Sequence, residues 1–305
     1  MKNAIKILFF LITSYNLQAQ QDALYSQYMF NQLVINPAYA GSRESVSAVL
    51  LAREQWMKVD GAPSTQTFSM HSPFAKHKMA LGINLINDAI GPTKNTGAFL
   101  SYAYHLKVSS GKLSLGLRGG IFNSMMDWRK LNYQDQSDRF IGSQNLNAII
   151  PSFDFGAYYY TRKFYAGISS THLNETKYKY NNYPNDANLY LRRHYMITLG
   201  AAFEINKNLV LKPSTLIKYV ENVPVNVDLN FSTLYKKIWW IGASYRSSGS
   251  IVGLTEFNLA ETWRIGYACD VAINRMKRYS GLSHELMLGV DFNFKKTKSV
   301  SPRYL

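Results

Sequence analysis

Residues 79 to 88 place Met79, Leu81, Ile83 and Leu85 on one face and Ala80, Gly82, Asn84 and Asp88 on the other. A two-residue period of this kind marks a strand, because successive side chains of an extended chain point to opposite sides. The period returns at 112 to 121, where Leu113, Leu115, Leu117 and Ile121 oppose Lys112, Ser114, Gly116, Arg118 and Gly120. It returns at 262 to 271, with Trp263, Ile265, Tyr267, Cys269 and Val271 against Thr262, Arg264, Gly266 and Asp270. At 284 to 294 it sets Leu286, Leu288, Val290, Phe292 and Phe294 against Glu285, Gly289, Asp291 and Asn293. Fourteen segments are predicted in all: 45 to 55, 65 to 74, 78 to 88, 96 to 108, 112 to 126, 150 to 161, 164 to 173, 193 to 205, 209 to 220, 224 to 235, 238 to 247, 250 to 259, 261 to 271 and 284 to 294.

A soluble sandwich alternates too, so the connections decide between β classes. With the first strand starting from the periplasm, the connections at that end are all short: 73 to 77, 109 to 111, 162 to 163, 206 to 208, 236 to 237 and residue 260. The opposite end carries long polar segments at 127 to 149 and 174 to 192, and medium ones at 57 to 64, 89 to 95 and 272 to 283. Short turns below and long loops above are the asymmetry of a bacterial outer-membrane barrel. The predicted fold is therefore all-β: one up-and-down antiparallel transmembrane β-barrel over residues 45–294, with a short periplasmic tail at 295–305.

Lys2 and Lys6, the apolar run 7 to 12 and the polar stretch ending at Ala19 have the layout of a Sec signal peptide over residues 1–19, too short to span a bilayer as an anchor. Beyond it no stretch approaches the roughly 18 to 20 continuous apolar residues that a spanning helix needs. The 22 Tyr and 16 Phe gather near segment ends, as in the aromatic girdles of membrane barrels. The net charge of +15, reduced by two when Lys2 and Lys6 leave, comes without a basic helix, zinc spacing or other nucleic-acid motif. For an exported chain the nearer anions are lipopolysaccharide phosphates and acidic partner proteins, unless the lysines are simply solvated. Cys269, the single thiol, has no internal disulfide partner and reads as a small apolar residue on a strand.

Catalysis finds little support. The six histidines (His71, His77, His105, His172, His194, His284) are scattered, with no HExxH pair, no G-x-S-x-G elbow and no closely spaced carboxylates. The one conceivable constellation is His172, His194 and Asp127 meeting near the outer rim. No catalytic, cofactor-binding or metal residue is expected.

The segment Tyr25-Ser26-Gln27-Tyr28-Met29-Phe30-Asn31, continuing to Ile35-Asn36-Pro37-Ala38-Tyr39-Ala40-Gly41, resembles the opening signature of the PorP/SprF family of Bacteroidetes outer-membrane proteins. Gln55-Trp56, Asp60-Gly61-Ala62-Pro63, Thr65-Gln66-Thr67, Asn87-Asp88 to Gly91-Pro92-Thr93, the 155 to 160 strand and Ser283-His284-Glu285 agree with it, and Pro302-Arg303-Tyr304-Leu305 is similar to the family's tail apart from the final Leu305. The resemblance implies an integral outer-membrane component of the type IX secretion and gliding apparatus that has no cofactor. PorP-like members are tied to periplasmic ring lipoproteins. SprF-like members hold large surface adhesins that carry a type B C-terminal domain. A general diffusion porin is the alternative.

Two regions are candidate partner sites. Residues 20–44 mix apolar anchors with an Asn-Pro turn, and Tyr28, Phe30, Asn36, Pro37 and Tyr39 are the residues to watch. This stretch is expected to be a periplasmic or lumenal stopper, a contact with the periplasmic ring, or only a lead-in to the first strand. The long loops offer Tyr178, Tyr180, Tyr183, Tyr190, Arg192 and Arg193, of types enriched at binding hot spots; adhesin binding, lipopolysaccharide contact and a plain surface loop all fit. Inward charges of both signs (Lys107, Arg118, Asp154, Arg264, Asp270, Glu285, Asp291) favour a lumen knitted shut over a selective pore, which lines itself with one sign.

Overall fold

The computed structural model describes residues 22–43, 45–74, 78–131, 146–178, 189–260 and 262–292. The expected signal peptide and the 295–305 tail lie outside them. The strands are β1 (Val46–Glu54), β2 (Ser64–Phe74), β3 (Met79–Ile90), β4 (Thr93–Val108), β5 (Gly111–Met126), β6 (Leu146–Tyr160) and β7 (Phe164–Thr171). They continue with β8 (His194–Ala201, prolonged past Ala202 by Phe203–Asn206), β9 (Leu209–Val220), β10 (Asn226–Tyr235), β11 (Trp239–Arg246), β12 (Ser250–Leu259), β13 (Trp263–Ala272) and β14 (Leu282–Phe292). Each pairs antiparallel with its neighbours in sequence, and β14 returns to β1 over the register Val46↔Phe292 to Glu54↔His284. The sheet therefore closes into a fourteen-stranded barrel without edges.

Alternation follows the pleat around the whole wall. On β6, Ala148, Ile150, Ser152, Asp154 and Tyr158 are buried, while Ile149, Pro151, Phe153 and Phe155 are exposed. The outward positions elsewhere are apolar as well, among them Leu50, Leu81, Leu100, Leu117, Ile168, Leu229, Ile241, Ile265 and Leu286. A continuous apolar belt of this extent requires an apolar solvent, and the closed ladder pairs the backbones of neighbouring strands within it. At the short-turn end Phe74, Phe164, Phe203, Tyr235, Trp239, Phe257, Trp263 and Phe292 form an aromatic ring, with Trp239 and Phe257 stacked at 5.5 Å. Among the described residues no helix is long and apolar enough to cross a membrane.

Three expectations are corrected. The 89 to 95 segment is not a loop: β3 and β4 stay paired up to Ile90↔Thr93, leaving Gly91 and Pro92 as a two-residue turn. The ladder outlasts the hydrophobic period there because polar residues stand on both faces: Asp88, which accepts a hydrogen bond from Thr65, and Asn95 have inward parity, and the exposed Lys94 has outward parity. Similarly β6 begins at Leu146, so the connection expected over 127 to 149 starts at Asp127 and ends at residue 145, with 132–145 outside the described residues. Lys107 has inward parity but is exposed, since it stands one residue from the end of β4, where the lumen opens.

Candidate functional site

The lumen contains the chain's own N-terminal segment. Residues 22–43 run from the long-connection end, where Asp22 lies against His172 and His194, to the short-turn end, where Gly41 lies against Pro73, Ala80 and His105. Three single-turn 3-10 helices (Tyr28–Phe30, Gln32–Val34 and Pro37–Tyr39) fold the segment into a compact plug.

Its two faces are held differently. Apolar side chains Tyr28, Met29, Phe30, Leu33 and Ile35 join one buried cluster with the inward residues Tyr158, Tyr165, Leu216, Leu234, Trp240, Leu254 and Met287. Lys212 lies in this cluster with its ammonium 5.5 Å from the Trp240 ring centre and 5.9 Å from that of Phe30, a cation–π arrangement. Elsewhere the wall grips the plug by charge. Glu285 accepts hydrogen bonds from the consecutive backbone N–H groups of Ser26 and Gln27, both at 2.7 Å. Arg53, paired across the strands with Glu285, reaches its carboxylate at 3.1 Å and Asp270 at 2.5 Å. Arg246 continues the network to Asp270 at 3.2 Å and to its cross-strand partner Asp228 at 3.2 Å. Arg118 forms an ion pair with Asp154 opposite it and donates to the carbonyls of Leu33 and Val34, each at 3.2 Å. At the short-turn end Arg43 pairs with Asp291 at 2.9 Å, which Arg264 also meets at 3.0 Å.

The Asn36-Pro37-Ala38-Tyr39-Ala40-Gly41 stretch is seated against Gly116, Gly156 and Gly167 of the wall. Asn36 caps its own turn by accepting from the Ala38 N–H at 2.9 Å, and its amide donates to the carbonyls of Ala157 and Ile168 at 3.1 and 3.3 Å. Such close approach needs glycine on the strands: a Cβ on Gly156 would lie 2.0 Å from Asn36 Oδ1, and one on Gly116 would lie 2.3 Å from the Ala38 nitrogen. Tyr39 packs edge-on against His71 and Tyr158, both at 5.5 Å.

At the other mouth, Asp22 Oδ1 is 2.9 Å from His172 Nε2 and Oδ2 is 3.4 Å from His194 Nδ1. Burial favours the neutral form of Asp22, but His172, His194 and Arg118 outweigh it and hold the carboxyl well below its usual range. Burial likewise lowers His172, and Asp22 and Asp154 more than offset this, so its pKa is raised. The two histidines meet as the sequence suggested, with ring centres 5.9 Å apart, but their carboxylate is Asp22; Asp127 is engaged by Arg129 at 2.9 Å.

The expected site residues thus fall into two groups. Tyr28, Phe30, Asn36, Pro37 and Tyr39 are all buried in the lumen. Tyr178 and Tyr190 lie on a small ribbon of Lys177–Tyr178 and Leu189–Tyr190 above the barrel, while Tyr180 and Tyr183 lie outside the described residues. Arg192 pairs with Glu221 at 4.0 Å, and Arg193 with Glu175 at 3.6 Å and the Leu173 carbonyl at 2.6 Å. The inward charges Arg53, Lys212, Lys218, Asp228, Arg246 and Glu256, all buried, were not singled out from the sequence, although each has the inward parity of its strand.

An edgeless barrel with an apolar outer belt, an aromatic ring and a self-occupied lumen is an integral outer-membrane protein. The family model described as type IX secretion system membrane protein PorP/SprF matches residues 17–290. The chain belongs to that family. No curated protein matches it. Among solved structures it is similar to the Ralstonia pickettii toluene transporter TbuX (12% identity, TM-score 0.46, covering 86% of this chain and 93% of that one). It is also similar to Acinetobacter baumannii Omp33 (10%, 0.45, 83% and 100%) and a Pseudomonas aeruginosa FadL homologue (10%, 0.45, 82% and 89%). Identities and scores this low transfer no function.

Proposed function

We propose that this chain is a non-catalytic, plugged barrel of the type IX secretion and gliding apparatus that anchors a surface adhesin bearing a type B C-terminal domain or helps to secrete it. The observation that supports this most is the lumen occupied along its length by residues 22–43, gripped by ion pairs and an apolar core. A diffusion porin, the second reading, needs a water-filled path that such packing opposes. In the anchoring role the outer connections, with Tyr178, Tyr190, Arg192 and Arg193, meet the adhesin on a rigid frame, and the short-turn end meets the periplasmic ring lipoproteins. Tyr28, Phe30, Asn36, Pro37 and Tyr39 act by seating the plug, and meet a partner only when that segment leaves the lumen.

The test is crosslinking and purification of the chain from its native outer membrane, alongside sugar flux into liposomes carrying the purified barrel. A large surface protein that co-purifies, and is lost when residues 177–190 are replaced by a short Gly-Ser linker, is the expected outcome. Steady sugar flux with no co-purifying partner would overturn the proposal in favour of the porin.

A further inference from the structure

We propose that Asp22, His172 and His194 form a binding site for a divalent transition-metal ion that clips the outer end of the plug to the barrel wall. One nitrogen of each imidazole and one oxygen of the carboxylate lie within 4.8 Å of one another. Around a tetrahedral ion with bonds of about 2.0 to 2.1 Å, ligand atoms are roughly 3.3 Å apart, so Asp22 Oδ1 and His172 Nε2, 2.9 Å apart, need only a small adjustment. Two imidazoles and a carboxylate suit zinc and its neighbours in the first transition row better than magnesium or calcium.

The surroundings support ligation. His172 Nδ1 lies 2.8 Å from Ser152 Oγ, which in turn approaches Asp154 at 3.4 Å, and His194 Nδ1 lies 3.1 Å from the Arg192 carbonyl. Contacts of this type orient the ring of a metal-bound histidine. A carbonyl only accepts, so His194 donates from Nδ1–H to Arg192 and the nitrogen left to ligate is Nε2, which is buried and has no hydrogen-bond partner among the described residues. A cavity of about 90 Å³ borders Asp22, His172 and His194, more than the roughly 10 to 15 Å³ that one water needs on the same measure, which leaves room for a water in the fourth position. Arg118 and Lys218 also border it, but the first is taken up by Asp154 and the plug carbonyls and the second stands 3.9 Å from Asp228. The ligands come from the plug, from the residue that follows β7 (His172) and from the first residue of β8 (His194), so a bound ion joins all three.

The site is tested by titrating Zn²⁺ into the full-length protein, purified in detergent without a polyhistidine tag, by calorimetry. One saturable equivalent is expected, with affinity at least about tenfold lower for Asp22→Ala, His172→Ala and His194→Ala, reduced about tenfold by Ser152→Ala, and unchanged for His284→Ala on the outer wall. Shifted gel mobility of unheated samples reports that each barrel is folded. Asp22 is not part of the wall, so Asp22→Ala decides the matter if a histidine variant does not fold. No saturable uptake by the folded wild type, or uptake unaltered by Asp22→Ala, would overturn the site.

Discussion

Asn36 reaches two strands that lie more than one hundred residues away in sequence, and it does so because Gly156 and Gly167 leave room for it. A valine at position 156 keeps the β propensity of the strand but drives its Cβ into Asn36 Oδ1. Overpacking of this kind costs about 1 to 3 kcal/mol. The Gly156→Val barrel is expected to remain folded while the amides of 28–40 exchange hydrogen roughly 5- to 150-fold faster than in the wild type, read by mass spectrometry. Unaltered exchange would mean that the Asn-Pro turn is not what seats the plug. The sequence marks Asn36-Pro37 as a turn and Gly116 as an inward small residue, but nothing local joins the two. Likewise Asp22 carries no local signal that it meets His172 and His194, whereas Asp154 and Arg118 were readable as inward charges from strand parity alone.

The elements follow the hydrophobic period closely wherever the strand crosses the apolar belt. β9 and β12 span the predicted residues, β5 differs from expectation by one residue at one end, and β1 and β11 by one residue at each end. The larger disagreements include two at the outer end, at Gly91-Pro92 and at the start of β6, where the inward Leu146, Ala148 and Ile150 are themselves apolar and buried, the last two in a cluster with Phe99, Phe122 and Leu191, so the apolar-out, polar-in contrast is lost. Depth along the wall is an energetic coordinate. Leu100, mid-strand on β4 and 68% exposed, and Tyr235, at the short-turn end of β10, face outward at different depths. Leu100→Arg is expected to destabilise the folded barrel by about 2 to 4 kcal/mol, and Tyr235→Arg by no more than about 1 kcal/mol, in reversible urea unfolding from lipid bilayers. Equal costs at the two positions would contradict the placement of the belt.

At the scale of the whole molecule, strand number, closure and the difference between the two ends were legible because each is periodic or counts residues between periodic segments. The content of the lumen was legible only in part. Opposite charges in comparable numbers on the inward faces pointed to a lumen knitted shut, and Arg53 with Glu285 and Arg118 with Asp154 are pairs of that sort. An apolar-out, polar-in template has no place, however, for Leu216, Leu234, Trp240, Leu254 and Met287 facing inward. They make sense once the barrel is seen to enclose a second apolar surface, that of the plug, so that the protein has a belt turned to lipid and a core turned to itself. The same packing predicts that a barrel without its plug loses an interior and gains a channel. Planar-bilayer recording of the wild type beside a variant lacking residues 22–41 tests this most directly. The wild type is expected to insert without steady conductance and the deletion to open a large, persistent one; a steadily conducting wild type, or an inserted deletion variant that stays silent, would contradict the account.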